Sequence, residues 1–398
     1  MIEELRKKFN AQWSEEKYQT FLDDLNAEFN YKIPFRVAES PVFLPDSFVK
    51  HCFKASEQII DFILRDDFKT LTQKAIPSHL KVPGDEGKCN VLALDFACCK
   101  KGDEFYPYLI EMQGFPSLFI YLNWLAGKYK QHYEIPQGFT HLFSGLDEKS
   151  YLQKMKRFLL NGHAPENVIL LEVEPEKQGT AVDFWVTERE TGVKAICISK
   201  IIKEGRQLFY ELDGRKIEIK RIYNRVIFDE FSQRTDLKCQ FNLTEEVDVE
   251  WVVHPHWFFR VSKYTMPFIK SPYIPESTFV SDLKEIPADL ENYVLKPLFS
   301  FSGTGVKFHV KKEDFNEIPV AEKGNWMLQK KVQYAPAIQA PDGGVKYEIR
   351  LLFIWENDQP KPELVINLGR LSRGEMIGVK FNKDKTWVGG NIGFWKAQ

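Results

Sequence analysis

Along residues 1–30, apolar side chains recur at helical spacing among charges (Leu5, Phe9, Trp13, Tyr18, Phe21, Leu22, Leu25), which predicts amphipathic helix. Residues 46–75 repeat the pattern with Phe48, Phe53, Ile59, Ile60, Phe62, Ile63 and Leu64, and a break with Pro and Gly follows at 81–90. The pattern then changes. VLALDFACC and PYLIEMQGF are apolar runs separated by a Lys-Gly-Asp turn, the signature of a strand hairpin. Residues 117–160 return to helical spacing. From Asn167, short strands (NVILLEV, VKAICIS) flank a helix-like QGTAVDFWVTERETG, and a hairpin is expected around Asp213-Gly214. HPHWFFRVSKYTMPFI predicts one more helical segment, and 291–398 is rich in strand patterns. The fold class is α+β, divided as a helical segment 1–85, a strand hairpin with helices at 86–165, an α/β unit at 166–250 and a strand-rich unit at 251–398.

Composition narrows the function. With 398 residues, 43% hydrophobic and 28% charged, the chain has the balance of an ordinary globular protein. Lys plus Arg is 54 against 56 for Asp plus Glu, a net charge of -2, so there is no general electrostatic case for nucleic acid or a membrane surface. No apolar stretch reaches 18 residues, and the charged N-terminus lacks the apolar segment of a signal peptide, so a cytoplasmic location is expected. The six cysteines form no CxxC pair, which fits a reducing compartment. Cys98-Cys99 reads as two small core residues of a strand.

Candidate chemistry sits in a few segments. Tyr293-Val-Leu-Lys296 delivers a lysine on an apolar strand, and Ser302, Gly303, Thr304 and Gly305 follow in a flexible loop. Lysine offers a point charge to phosphate, and glycines let backbone N–H groups turn toward an anion. The same segment also reads as an ordinary glycine hairpin. It is not a Walker loop, since no GKS or GKT follows. Glu348 and Arg350 alternate onto one strand face, as do Glu111 and Gln113. Such oxygen donors suit a hard cation, and an adjacent guanidinium suits an anion, although ion pairs on a solvated sheet show the same spacing. Arg370, Arg373 and Asn382 form a further basic cluster. His254-Pro-His256 reads as packing, because no third ligand is near in sequence.

Taken in order, these segments resemble the ATP-grasp superfamily, in a circularly permuted form similar to glutathione synthetase and other peptide-forming ligases. Lys263 with Tyr273-Ile-Pro275 resembles the "K…GIP.P.T" entry, and Lys296 matches the lysine of the "KP…GS.G" strand and loop. Trp326-Met-Leu-Gln329-Lys330-Lys331 resembles the hinge strand that reads adenine, with Lys330 where the family has an acidic ribose contact. Glu348-Ile-Arg350 resembles the "D.R" metal strand. The closing "E.N..PG" strand, expected after these, is instead matched near the start of the chain by Glu111-Met-Gln113-Gly-Phe-Pro116, with Gln113 where the family has Asn. The unit at 166–250 corresponds to the α/β domain that normally precedes the fold.

The resemblance implies ATP and Mg²⁺ as cofactors. Lys263, Lys296, Ser302, Gly303, Thr304, Gly305, Gln329, Lys330 and Lys331 would hold the nucleotide. Glu111, Gln113 and Glu348 would hold the metal, and Arg350, Arg370 and Arg373 would orient a substrate carboxylate. It implies a ligase that joins a small-molecule or peptide carboxylate to an amine or thiol through an acyl phosphate. A phosphotransferase and a non-catalytic nucleotide-binding scaffold are the alternatives. Neither a nucleic-acid nor a membrane partner is expected.

Overall fold

The computed structural model describes residues 1–397 except Glu86, 300–304, Met376 and 378–380. Six strands carry the candidate site: β1 (Val91–Lys101), β2 (Glu104–Gln113), β3 (Tyr293–Pro297), β4 (Trp326–Lys330), β5 (Gly343–Ile354) and β6 (Glu363–Ser372). The central sheet is antiparallel, in the order Gly389–Asn391, β6, β5, β1, β2. Its inner strands are buried on both faces, so the Val91–Cys99 part of β1 reads as an apolar run with one charge, Asp95, in the middle. That strand pairs with β5 across most of the chain: Asp95 is the register partner of Arg350, 255 residues away.

Opposite this sheet, β3 and β4 join Ser277–Phe279 in a small antiparallel sheet. It covers a core of its own, built from Val280, Leu290, Leu295, Val310, Phe315, Ile318 and Leu328. Most of the other buried apolar residues, from Phe9 to Phe394, form one continuous core. A parallel sheet of Glu250–Trp251, Arg221–Asn224, Val168–Glu172 and Lys194–Cys197 matches the α/β pattern read from 166–250, with the helix Ala181–Thr191 as a crossover.

Local chemistry explains where the helical pattern is cut. Residues 1–30 make two helices, Glu3–Gln12 and Glu15–Ala27, because Ser14 turns its hydroxyl back to accept from Lys17 N–H and starts a new one. The helix Asp46–Ile63 stops short of residue 75, and two short turns, Phe68–Leu71 and Gln73–Ala75, follow. The expected helix at 254–269 is reduced to Trp257–Arg260 and a tight turn at Lys263–Phe268. Pro255 and Pro267 supply no N–H to a longer ladder. No helix among the described residues is long and apolar enough to cross a membrane.

Candidate functional site

Alternation along the strands puts Asp95, Glu348, Arg350 and Arg370 on one face of the central sheet, with Glu348 opposite Arg370 and Arg350 opposite Asp95. Asp95 is only 1% exposed. Both its oxygens accept from Arg350, at 2.6 Å from Nε and 2.7 Å from Nη2, a two-pronged charge-assisted contact. Arg370 Nη2 donates to the same Asp95 carboxylate and also reaches Glu348. The other oxygen of Glu348 accepts from the Tyr334 hydroxyl at 2.6 Å.

Burial opposes every charge here, so each needs its partner. Burial works to raise the Asp95 pKa, but Arg350 and Arg370 outweigh it and hold the group below the usual carboxylate range. Burial, opposed by Arg370 but helped by Asp95, pushes Glu348 up. Arg370 is lifted further still, because Glu348, Asp95 and then Glu111 overcome the cost of its burial.

The second half of the site faces this one. Lys263 opens the tight turn at 263–268 and places Nζ 3.0 Å from Glu111 Oε1 on β2. Lys296, carried by β3 and 9% exposed, donates to Gln329 Oε1 on β4 at 2.7 Å and to the Ile110 carbonyl at 3.4 Å. Ile110 is free to accept because β2 bulges there: Asp95 pairs with Glu111 and Phe96 with Leu109, leaving Ile110 unmatched on β1. Gln329 is fixed in turn by donating to Ser277 Oγ at 2.9 Å. Among the described residues, Lys296 has no carboxylate within ion-pair distance. Burial, and next the charge of Lys263, bring its pKa down to about 8, against the pull of Glu111 and Glu348.

One glycine keeps the two halves together. Gly114, directly after β2, donates its N–H to Val261 O at 2.8 Å. A Cβ there would sit 2.4 Å from the Trp257 carbonyl oxygen, so only glycine allows the chain carrying Glu111 and Gln113 to lie against the turn carrying Lys263. Glu111, Gln113 and Lys263 line one small crevice together with Phe115, Phe258 and Phe299.

The structure therefore gathers Glu111, Gln113, Lys263, Lys296, Gln329, Glu348, Arg350 and Arg370 around one centre. Three expected residues point elsewhere. Lys330 pairs with Glu276 at the surface, at 2.8 Å. Lys331 donates to the Glu291 carbonyl at 2.7 Å. Arg373 turns to Asp342, at the start of β5. Gly305 is described and takes the left-handed conformation, φ +75°, while Ser302, Gly303 and Thr304 lie outside the described residues.

Tyr334, Ser277 and Arg225 are not singled out by the sequence, whereas Asp95 is, as the acidic residue on the strand that precedes Glu111 in the same hairpin. Asp95 has a signal, a lone charge inside an apolar run, while Tyr334 and Ser277 have none. Arg225 follows the parallel strand Arg221–Asn224, and its guanidinium lies 5.9 Å from the Phe115 ring centre. Its Nε is buried without an acceptor, and among the described residues it has no ion-pair partner.

The oxygen donors of Glu111, Gln113 and Glu348 have the chemistry of a Mg²⁺ site. As the side chains stand, Glu111 is engaged by Lys263 and Glu348 by Arg370 and Tyr334.

The histidine pair needs a correction, because folding brings it a third group. Asp85, His254 and His256 offer ligand atoms within 4.8 Å of one another. Their hydrogen bonds nonetheless support the packing reading. His256 Nε2 accepts from Val82 N–H at 2.8 Å, so its Nδ1 carries the proton toward Asp85 at 3.0 Å. His254 Nδ1 accepts from His256 N–H at 3.2 Å, and Nε2 donates to the Pro83 carbonyl at 3.0 Å. Arg260 adds a 2.7 Å contact to Asp85. Burial brings His254 down to about 4, which keeps it neutral. The cluster is a polar latch that ties segment 82–85 to the turn before Lys263.

A larger cavity, about 710 Å³, lies between Asp46–Phe53, Phe139–Leu142 and Trp395 and contains none of the expected site residues.

No protein-family model matches the chain, and no curated protein matches its sequence. Its fold does match a solved structure, a glutathione synthetase-like effector from Globodera pallida in its apo form. The TM-score is 0.58 at 9% identity, over 96% of each chain. The chain thus shares the overall α+β architecture of that protein.

Proposed function

We propose that the protein is an ATP-dependent ligase of the circularly permuted ATP-grasp type, joining a carboxylate to an amine or thiol. One observation carries this reading. Lys263, Lys296, Gln329, Glu348 and Glu111, taken from motifs spread over 238 positions of the chain, meet at one buried centre between a lid-like sheet and the central sheet. The pairing of β1 with β5 supports the permutation, since it sets the early hairpin beside the strand that carries Glu348 and Arg350. The fold shared with a glutathione synthetase-like protein agrees with a ligase-like scaffold.

In this reading Lys296, a buried ammonium with no carboxylate partner among the described residues, is the natural seat for a nucleotide phosphate, and Lys263 is the second. Gln329 and Ser277 fix the position of Lys296. Mg²⁺, held by Glu111, Gln113 and Glu348, would offset the charge that builds during phosphoryl transfer. Arg370 stabilises the γ-phosphate as its bond to the leaving group lengthens and the substrate carboxylate oxygen attacks phosphorus. The acyl phosphate formed is then attacked at carbon by the amine or thiol, releasing phosphate. Arg350 is tied on both prongs to Asp95 and acts by fixing that carboxylate. Arg225, whose Nε has no acceptor beside the loop that follows β2 though Glu172 and Asp183 lie in its field, is better placed than Arg373 to bind a substrate carboxylate.

The test is Mg-ATP binding, followed by ADP release with panels of amino acids, polyamines and short peptides, with Lys296→Ala and Glu348→Ala as controls. A ligase needs both a carboxylate and a nucleophile for turnover. A kinase gives a stable phosphorylated product from one acceptor. A second reading, a nucleotide-binding scaffold without catalysis, is favoured by the ion pairs that already engage Glu111 and Glu348. It predicts nucleotide binding with no ADP release. If the parent binds no nucleotide, or both variants bind and act like the parent, the proposal fails.

A further inference from the structure

Each carboxylate proposed to hold the metal is engaged by a cation proposed to hold phosphate. Lys263 lies 3.0 Å from Glu111, and Arg370 spans Glu348 and Asp95. A divalent cation arriving alone would take Glu111 and Glu348 away from Lys263 and Arg370. Lys263 would then lose the Glu111 carboxylate, and Arg370 would keep only its contact to Asp95. A nucleotide arriving alone would draw Lys263 and Arg370 onto its phosphates and leave two carboxylates uncompensated, Glu348 being only 3% exposed. Breaking one side of a buried pair is costly because the remaining charge is stranded in a poor solvent. When metal and nucleotide arrive together, carboxylates pass to the metal and cations to the phosphates, and no charge is stranded. Asp95 makes the exchange mechanically simple. Arg350 fixes both of its oxygens, so Arg370 can release Glu348 and still keep its contact to Asp95 as a pivot.

We infer that in the ligand-free protein these ion pairs hold the site shut, and that nucleotide and divalent cation open it by exchanging partners with it, each binding weakly without the other. The inference rests on the nucleotide-binding reading above and adds a self-locking device to it.

Calorimetric titration of the full chain tests it with three probes: MgCl₂ alone, ATP in EDTA, and ATP with excess Mg²⁺. The expected result is no saturation by millimolar Mg²⁺ alone, and ATP affinity about 10- to 100-fold higher with the metal than in EDTA. The decisive variant is Glu111→Gln. Its side chain is 30% exposed, so the change is compatible with the fold. By releasing Lys263 it should raise ATP affinity in EDTA about tenfold over the parent, while most of the gain from Mg²⁺ disappears. Glu348→Gln, checked by thermal melting, should move in the same direction. A Glu111→Gln variant whose affinity in EDTA is unchanged or lower overturns the lock, because a carboxylate that served only the metal would behave that way. Equal parent affinity with and without Mg²⁺ also overturns it and leaves nucleotide binding standing. No ATP binding under any condition sinks both.

Discussion

The central sheet and the small sheet opposite it handle buried charge in opposite ways. On the central sheet, Asp95, Arg350, Arg370 and Glu348 close on one another, so every charge has an oppositely charged neighbour. On the facing sheet, Lys296 is almost equally buried but among the described residues meets only amide and carbonyl oxygens. The first arrangement stabilises a structure, and the second leaves an unmet demand for an anion. This contrast in partners is what favours Lys296 as the phosphate seat in the proposed function.

Breaking the paired half should give the largest effect. Asp95→Ala strands two arginines in the interior and should cost about 3–5 kcal/mol of stability, read as a large fall in the midpoint of chemical denaturation. A midpoint like the parent's would mean that the network contributes little to the fold. Next is the seam between the halves. In Gly114→Ala the new methyl meets the Trp257 carbonyl oxygen at 2.4 Å, and a loss of about 1–3 kcal/mol is expected, with weaker nucleotide binding.

Lys296→Met probes the unpaired half and should behave in the reverse sense. Nucleotide affinity falls by at least about tenfold, while the folded state keeps or gains stability at neutral pH, since a buried charge with no counter-ion among the described residues has been removed. A pH series sharpens this. The Lys296 pKa is lowered on folding from its ordinary 10.5 to about 8. Between those values the unfolded chain binds a proton that the folded chain does not, so raising the pH favours the folded state. The stability of the parent relative to Lys296→Met should therefore rise from about pH 8 to pH 10.5, and a flat difference would contradict the placement of this lysine. The smallest effect belongs to Lys330→Ala. Its pair with Glu276 is solvated, so neither melting temperature nor nucleotide affinity should move measurably. A clear loss of affinity would restore Lys330 to the nucleotide site.

Much of this site is legible along the chain because its parts lie on strands. Period-two alternation alone puts Glu348 with Arg350, and Glu111 with Gln113, on shared faces, and both pairs lie at the central site. What alternation cannot report is which partner a long side chain chooses. Arg373 and Lys330 fit the motif spacing yet turn to Asp342 and Glu276, because local carboxylates compete for them. Tyr334 lies between strands, where no period constrains it, and reaches Glu348 only through the fold. Asp85 joins the histidine pair from far along the chain, 171 residues from His256, a contact that no local spacing encodes. The helical pattern at 254–269 fails for a different reason: the apolar spacing is right, but the prolines limit it to single turns.

The central claim is that Lys296 and the acidic sheet opposite it form one nucleotide-phosphate site. The most direct measurement is the affinity of Mg-ATP for the parent and for Lys296→Met, with both shown by thermal melting to be folded. The account predicts saturable binding by the parent and at least about a tenfold loss in the variant, the removal of one charge-assisted contact. Equal affinity in two folded proteins, or no binding by the parent, would contradict it.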